Sequence, residues 1–329
     1  MAADAGPPLR QALWPLGLLY GAVAAVRNWS FDARLRAVHR LEVPVVAVGN
    51  LTVGGTGKTP TVAWLCELAH SLGRRPGVLA RGYGRAPGAL LNDEGTMLAR
   101  RFPWLEQEQH ADRVAAGRRL LQRGVDYVLL DDGFQHRRLH RDLDVLCLDA
   151  QRPFGNGLCL PAGDLREFRS GLRRAGVVLL TRAAALDDDA LAQRVHRLRE
   201  LAGQSLPVHA CDHGPRDLVR QPDAEVLPLS ALAGQRVVLL SAIARPASFR
   251  ATVAALGAEI AAEIVHHDHH RFTAAEVMRA EQRARDAGAW LVTTEKDDAR
   301  LLDFTLPRYV LRIELRFLAA APPPQEFLL

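Results

Sequence analysis

The sequence predicts an α/β protein with a mainly parallel sheet flanked by helices. Short apolar runs of strand length alternate with helical stretches along most of the 329 residues, which is typical of parallel strands joined by crossover helices. A glycine-rich turn at residues 52–59 joins the first of these runs to a helix. Parallel sheets bind ligands at the carboxyl ends of their strands, so we expect the site in the turns that follow the strands.

The first element is an apolar segment at residues 12–26, ALWPLGLLYGAVAAV. It is shorter than the roughly 20 residues that a membrane span needs. A signal peptide is disfavoured because only Arg10 precedes the apolar run and Asp4 lies there too. We expect residues 1–28 to form a helix in the membrane interface, with the arginines that follow facing anionic headgroups. The alternative is a helix that packs on the core.

The next elements form a strand, a loop and a helix. Residues 43–48 (VPVVAV) suit a buried parallel strand, and residues 61–72 have the apolar spacing of a helix. Between them the glycines allow backbone N–H groups to turn around a phosphate, Lys58 can reach its outer oxygens, and the Thr59 hydroxyl can hold Mg²⁺. The predicted nucleotide-binding residues are Thr52, Val53, Gly54, Gly55, Thr56, Gly57, Lys58 and Thr59.

Lysine usage supports this interpretation of the loop. The chain has 42 basic side chains, and all except Lys58 and Lys296 are arginine. Lysine presents a compact ammonium on a flexible stem, which a phosphate-binding loop requires and arginine does not supply. Phosphate binding by this loop therefore explains why residue 58 is a lysine in a chain that otherwise uses arginine almost throughout.

The remaining apolar runs predict further strands and a division into domains. We expect a P-loop core at residues 29–212, a polar and proline-bearing linker at 213–230, and a smaller α/β domain at 231–329. The predicted strands lie at residues 77–80, 127–130, 145–148, 177–180, 237–240 and 290–292.

Acidic residues follow one of these strands directly. Asp131 and Asp132 come after residues 127–130, about 70 residues beyond the loop. A carboxylate at a strand tip beside a phosphate loop can complete the ligand shell of Mg²⁺. The sequence therefore predicts a magnesium-nucleotide site formed by the ends of two strands.

Three further strings carry possible chemistry, each with a bland alternative. The loop 92–95 offers the carboxylates of Asp93 and Glu94, which could accept a hydroxyl proton, bind a metal or lie in a solvated turn. Residues 266–270 (HHDHH) could form a metal tract, a solvated loop, or the source of one imidazole for proton transfer. Residues 294–297 contain Lys296 at a strand end, where a local salt-bridged turn is the simple interpretation.

Composition limits the class of partner. The net charge is +5, which favours anionic partners such as nucleotides, phosphorylated substrates or a membrane surface. Aromatic residues make up only 6% and no nucleic-acid recognition module is visible, so we expect no nucleic-acid partner. The four cysteines lie far apart, which favours buried thiols in a reducing compartment and disfavours a zinc site. The sequence does not indicate an oligomeric state.

Taken together, these strings resemble the tetraacyldisaccharide 4'-kinase family, whose members phosphorylate a lipid A precursor at a membrane. The resemblance extends over nearly the whole chain and includes Thr52 at the first position of the loop. The matching strings lie at residues 43–45, 49–60, 81–84, 131–136, 141–142, 154–157, 160–163, 268–272 and 294–297.

The resemblance implies ATP and Mg²⁺ as cofactors and the 4'-hydroxyl of a tetraacylated glucosamine disaccharide 1-phosphate as acceptor. It also implies peripheral attachment to the cytoplasmic face of the inner membrane. The roles that it assigns are these: Lys58 and Thr59 hold phosphates and metal, Asp131 and Asp132 form the acidic strand end, Arg113 stabilises the transferring phosphoryl group, and Glu167 positions metal or acceptor.

For the acceptor side, the resemblance implies that Asp93 takes the hydroxyl proton. His269 would pair with Asp93 and raise its proton affinity in a closed state. Gly95 departs from the family pattern, which usually has proline after the Asp-Glu pair.

A membrane-recruited ATPase of the partition or insertion type is the alternative function. Its phosphate loop is close to residues 53–59, although such proteins typically have lysine where Val53 stands here. A membrane adaptor that binds ATP and transfers nothing is a second, non-enzymatic alternative.

Overall fold

A computed structural model describes residues 12–85, 88–203 and 205–328. The helices are α1 (Trp14–Asp32), α2 (Lys58–Ser71), α3 (Asp93–Arg101), α4 (Arg113–Gln122), α5 (Asp188–Ala202), α6 (Pro246–Ala255), α7 (Ala274–Asp286) and α8 (Glu295–Asp298). The strands are β1 (Val45–Gly49), β2 (Pro76–Ala80), β3 (Glu106–Gln109), β4 (Tyr127–Asp131), β5 (Leu143–Asp149), β6 (Val177–Thr181), β7 (Val208–Gln221), β8 (Glu225–Leu227), β9 (Arg236–Ser241), β10 (Glu259–Val265), β11 (Trp290–Thr294) and β12 (Arg308–Phe317).

The chain forms two compact units, each built from separate stretches. The first unit contains residues up to Gly82, then 104–213 and 315–329, whereas the second contains 83–103 and 214–314. Strand β7 begins in the first unit and ends in the second, and β12 runs the other way. The predicted α/β class with a second, smaller unit is confirmed.

In the first unit the strands are all parallel, in the order β3-β2-β4-β1-β5-β6-β7. Strand β1 lies beside β4, with Val48 opposite Asp131. The turns that leave these two strands therefore start at the same edge of the sheet, as the sequence predicts for the loop and the acidic pair.

Buried side chains of the first unit include residues from the end of the chain. The Tyr127 hydroxyl donates a hydrogen bond to the Phe327 carbonyl oxygen (3.0 Å), and the Phe327 side chain is fully buried. The ring of Trp64 meets the rings of Phe317 and Phe327 edge-on, with centroids 5.1 and 5.0 Å away. The segment 315–328 is therefore part of this core.

The second unit has its own group of strands and its own cores. Strands β10, β9, β11 and β12 are neighbours in that order and parallel, while the end of β7 pairs with β8 in antiparallel fashion. Apolar side chains from α7 and β9 form one core cluster, and a second cluster includes Leu218, Phe249 and Leu311.

The segment 213–230, predicted to be a linker, instead contains the whole second half of β7 and all of β8. Its residues within β7 are half-buried or buried, including the adjacent Leu218 and Val219, which a solvated linker would not be. Pro222 lies just after β7 ends, where it removes no ladder hydrogen bond. The two units also have other boundaries than the predicted domains at 29–212 and 231–329, because residues 83–103 belong to the second unit and 315–329 to the first.

Helix α1 contains most of the apolar segment at residues 12–26 and extends beyond it to Asp32. The first eleven residues of the helix predicted at 1–28 lie outside the described part of the chain. One face packs closely on the first unit: a Cβ at Gly17 would lie 2.7 Å from the Cys159 carbonyl oxygen, and one at Gly21 would lie 2.5 Å from the Phe168 ring. In the described ranges, no helix has the length and apolarity needed to cross a membrane.

Candidate functional site

The phosphate loop lies between β1 and α2 in the first unit. Gly57, with φ +85°, adopts the left-handed conformation just before α2, which glycine accepts without strain. No side chain caps the helix and its first turn has no acidic residue. A Cβ added at Gly54 or Gly55 would meet nothing within 4 Å. The backbone N–H groups at this end of α2 are thus suited to bind an anion.

The lysine of the loop contacts the acidic end of β4. Lys58 Nζ lies 3.3 Å from Asp132 Oδ1, and Arg166 donates two hydrogen bonds to the same carboxylate (2.9 and 2.8 Å). Burial alone would raise the pKa of Asp132, but Lys58 and Arg166 outweigh it, so the pKa is lowered. Asp131, the last residue of β4, is buried.

Arg113 begins α4, which Asp112 caps through hydrogen bonds from Val114 N and Ala115 N (3.0 and 3.2 Å). Its side chain is 7% exposed, and its Nε has no hydrogen-bond partner within the described residues. Burial and the charge of Arg81 lower its pKa, while Asp132 and Asp131 oppose that shift. A buried guanidinium with an unpaired donor is suited to an incoming anion.

Two residues at the end of β6 hydrogen-bond to carbonyl oxygens of the phosphate loop, a support that the sequence did not indicate. The Thr181 hydroxyl lies 3.1 Å from the carbonyl oxygens of both Thr56 and Leu148 and bridges the loop to β5. Arg182 donates to the Gly55 carbonyl oxygen and forms an ion pair with Asp149. Because these contacts hold two carbonyls of the loop, they favour a conformation in which its N–H groups face a ligand.

The remaining loop residues are tied to the segment that carries Arg166. Val53 N donates to the Asp164 carbonyl oxygen (2.7 Å), and Thr52 bridges to Leu165. The buried Asn50 amide donates to the Thr56 hydroxyl (3.0 Å). Hydrogen bonds therefore fix the backbone of the phosphate loop at both its first and its last residues.

The structure gives Glu167, expected to position metal or acceptor, a different environment. Its carboxylate is buried and accepts hydrogen bonds from Asn28 (2.7 Å), Gln135 (3.0 Å) and Arg174 (2.9 Å to Oε1, with 2.8 Å to Oε2). A carboxylate has about four acceptor positions, and these contacts use them. Glu167 thereby fixes Gln135, which follows the acidic pair, to the last turns of α1.

In the second unit, Asp93 is the first residue of a helix, not part of a loop as predicted. Asn92 caps α3 by accepting a hydrogen bond from Gly95 N (3.0 Å). Arg300 Nε donates to Asp93 Oδ2 at 2.7 Å, and His269 Nδ1 lies 3.6 Å from the same oxygen. The structure thus brings Asp93 and His269 together and adds Arg300, which the sequence did not single out.

The electrostatic surroundings of Asp93 differ from those implied by the resemblance. Burial would raise its pKa, but hydrogen bonds from His269 and Arg300 outweigh this and lower the pKa to about 2. Instead of raising the proton affinity of Asp93, His269 here lowers it together with Arg300. Asp93 is consequently an ionised hydrogen-bond acceptor at neutral pH.

The other histidines of the HHDHH string form a separate cluster. Ligand atoms of His266, His270 and Glu276 lie within 4.8 Å of one another, as a metal tract would require. However, the two imidazole rings are stacked with only 7° between their planes, and Glu276 already accepts from His270 and from Thr273 N (3.0 and 2.8 Å). Glu276 also forms the capping box at the start of α7 together with Thr273, so the carboxylate of this cluster already has a structural role.

The donor set of the first unit fits ATP and Mg²⁺. The uncapped start of α2 and the open space over Gly54 and Gly55 suit phosphate oxygens. Carboxylates at the end of β4 and the hydroxyl of Thr59 are the hard oxygen ligands that Mg²⁺ prefers. A loop of this kind, with its lysine beside a strand-end carboxylate, defines a P-loop nucleotide-binding protein.

Comparisons with known proteins identify the particular family. The model of the tetraacyldisaccharide-1-P 4'-kinase family matches residues 9–329, so the chain belongs to that family. The tetraacyldisaccharide 4'-kinase of Anaeromyxobacter dehalogenans strain 2CP-C is 43% identical over 321 residues, covering 92% of this chain and 82% of the relative. That of Syntrophus aciditrophicus is 37% identical, covering 95% and 92%.

A solved structure agrees with these relatives. The crystal structure of LpxK from Aquifex aeolicus, in complex with ATP, has a TM-score of 0.74 and 28% identity, covering 94% of this chain and 95% of that one. The family resemblance and the P-loop fold predicted from the sequence are confirmed. The family match favours a kinase over the partition-type ATPase.

Proposed function

We propose that the protein transfers the γ-phosphoryl group of ATP to the 4'-hydroxyl of a tetraacylated glucosamine disaccharide 1-phosphate in lipid A biosynthesis. The contact of Lys58 with Asp132 carries this proposal: the loop cation lies 3.3 Å from a carboxylate at a strand end, in a chain of the 4'-kinase family, and these residue types suit a magnesium–phosphate site. Phosphoryl transfer needs little covalent chemistry beyond positioning and charge neutralisation.

On the nucleotide side, residues of the loop and of the first turn of α2 would bind the phosphates. Thr59, Asp131 and Asp132 would hold Mg²⁺, which neutralises charge on the phosphate oxygens. Lys58 and Arg113 would stabilise the charge of the transferring group, and the buried unpaired Nε of Arg113 supports that role. We assign Glu167 to holding Gln135 rather than to the metal, because its acceptor positions are already used.

On the acceptor side, Asp93 would accept the proton of the attacking hydroxyl. A pKa of about 2 makes Asp93 a weak base. In a loose transition state the bond between the hydroxyl oxygen and phosphorus is only slightly formed, so the hydroxyl loses its proton late in the reaction. A well-placed weak base is then sufficient. His269 and Arg300 would orient the Asp93 carboxylate.

Transfer of radioactive phosphate from [γ-³²P]ATP distinguishes the candidate functions. Label in the tetraacyl disaccharide supports the kinase. Free phosphate without labelled lipid indicates an ATPase, and neither product indicates an adaptor that only binds nucleotide.

We expect Thr181→Val to weaken ATP binding without loss of fold. The substitution is nearly isosteric and removes the hydroxyl that lies 3.1 Å from the Thr56 and Leu148 carbonyl oxygens. Loss of about 1 kcal/mol of hydrogen bonding to the loop raises KM for ATP about 3- to 10-fold. Thr293→Val is a matched control, since that buried hydroxyl donates to the Leu240 carbonyl oxygen in the second unit. Equal ATP affinity in both variants would contradict a role for Thr181 in supporting the loop.

We also propose that α1 attaches the protein peripherally to the cytoplasmic face of the inner membrane. Leu19, Val23 and Val26 are 62%, 62% and 64% exposed and follow the spacing of one helix face. The opposite face, with Gly17 and Gly21, packs on the protein. An exposed apolar stripe on a helix followed by arginines suits an anionic interface.

Replacing Leu19, Val23 and Val26 by Gln should release the protein from vesicles that contain anionic lipid. Each of these exposed side chains contributes about 1 kcal/mol when it is partly buried in the membrane interface. Loss of all three therefore corresponds to roughly 100-fold weaker binding in a flotation assay. The control replaces exposed apolar residues elsewhere, namely Val265, Met278 and Leu302. Unchanged flotation of the α1 variant would argue against this helix as the attachment site.

A further inference from the structure

His269 lies between two carboxylate–cation pairs. On one side, its Nδ1 is 3.3 Å from an Arg300 terminal nitrogen and 3.6 Å from Asp93 Oδ2. On the other, its Nε2 is 3.2 Å from Lys296 Nζ and 3.9 Å from Asp268 Oδ2. Each ring nitrogen therefore faces one donor and one acceptor.

The backbone of this region is fixed independently of the imidazole. Asp297 is fully buried and accepts hydrogen bonds from Ala242 N (3.1 Å), Thr294 Oγ1 (2.7 Å) and Arg300 (2.9 Å). These contacts anchor the short helix α8, which carries Lys296. His269 has a left-handed backbone (φ +63°) and its N–H donates to the Ala242 carbonyl oxygen (3.2 Å).

The two cations are not equivalent partners for the ring. Arg300 is held by Asp93 (2.7 Å), by Asp297 and by the Ala242 carbonyl oxygen (2.8 Å), so its planar guanidinium has little freedom to turn. Within the described residues, the Lys296 ammonium makes one hydrogen bond, to His269 Nε2, and can rotate its hydrogens into line.

A neutral imidazole accepts a hydrogen bond at only one nitrogen and donates at the other. Lysine can only donate, so Nε2 accepts when it bonds to Lys296. The ring hydrogen then lies on Nδ1, whose carboxylate neighbour is Asp93 at 3.6 Å. The Arg300 nitrogen 3.3 Å from Nδ1 is also a donor, so it is not the hydrogen-bond partner of Nδ1 in this tautomer.

We propose that Lys296 is a positioning residue that holds His269 in the Nδ1–H tautomer, so that His269 donates to Asp93. The effect on turnover rests on the proposed role of Asp93, whereas the tautomer itself does not. A compact ammonium suits this position, since an arginine fork would tend to engage the Asp268 carboxylate through two nitrogens. This gives a physical reason for the second lysine of an arginine-rich chain.

The tautomer is measured directly by ¹⁵N NMR of histidine-labelled protein, at a pH where imidazoles are neutral. His269→Gln assigns the resonances by their loss. In the unaltered protein we expect His269 to carry hydrogen on Nδ1 and none on Nε2. In Lys296→Met we expect the Nε2–H form to become populated. Arg271→Met, which removes an exposed cation from the same loop, should leave both resonances unchanged.

The consequence for turnover is measured with the same variants. Lys296→Met should lower kcat about 10- to 100-fold, the usual range for a residue that orients a functional histidine, with KM for ATP unchanged. Arg271→Met should retain normal kcat.

Each outcome decides the proposal. Hydrogen on Nε2 in the unaltered protein overturns it without any variant, as do unchanged His269 resonances in Lys296→Met. A changed tautomer with normal kcat overturns the positioning role. If the unaltered protein labels no lipid, the proposed function fails, while the resonances still test the contact of Lys296 with His269.

Discussion

Lys58→Ala is expected to reduce phosphoryl transfer by about 10³-fold or more, in the range seen when a charge-stabilising group is removed from a transfer site. The ammonium is the cation of the phosphate loop and contacts Asp132. The fold should persist because Asp132 keeps its two hydrogen bonds from Arg166. Transfer of ³²P to the lipid measures the effect.

The matched control for this variant is Arg74→Ala, which removes a cation just beyond the other end of α2 and should leave turnover normal. Lys58→Arg should not restore activity, because a planar guanidinium does not substitute for a compact ammonium in a narrow loop. Turnover near normal in Lys58→Ala would exclude Lys58 from the reaction.

Asp93→Asn is expected to lower kcat by about 10²- to 10⁴-fold while ATP binding is retained. The amide keeps the shape of the side chain but cannot take a proton from the acceptor hydroxyl. Glu94→Gln, one residue along the same first turn of α3, should have normal kcat. Kinetics with lipid and a separate ATP-binding measurement distinguish the possibilities: loss of ATP binding would make Asp93 a metal ligand, not a base.

The same carboxylate predicts a pH dependence of stability. Its pKa is lowered from 3.8 to about 2 in the folded protein. Pairing with Arg300 and His269 therefore stabilises the folded state fully above about pH 4, and the stabilisation is lost as the pH falls through about 2. Asp93→Asn should lower the thermal midpoint near neutral pH, with the difference from the unaltered protein shrinking below that window.

Much of the fold could be predicted because its signals are local. The apolar runs identified the buried strands, and glycines followed by Lys58 and Thr59 identified the loop. Strand adjacency then placed Asp131 at the correct edge of the sheet. Helix α3 was missed, although Asn92 as cap and two acidic residues in the first turn are start signals, because Gly95 suggests a turn.

The supporting residues could not be predicted in the same way. Arg300 is separated by 207 positions from Asp93, and Thr181 by 125 from Thr56. An arginine such as Arg300 is most often a solvated surface charge, and a threonine such as Thr181 is a common strand residue, so neither residue type indicates a site. Only the three-dimensional fold reveals that they hold the candidate site residues in place. Glu167 shows the opposite case, because a carboxylate to which the family resemblance gives a role at the site is here fully engaged by neighbouring side chains.

The return of the chain to the first unit has a consequence for biosynthesis. Residues 315–328 emerge from the ribosome after residues 214–314, yet Phe327 fills the core against Trp64 and Tyr127. Domains usually fold one after another during translation, beginning with the N-terminal one. Here the unit that contains the phosphate loop cannot complete its core until the whole of the second unit has been synthesised. The nucleotide site is therefore among the last parts of the molecule to reach its final stability.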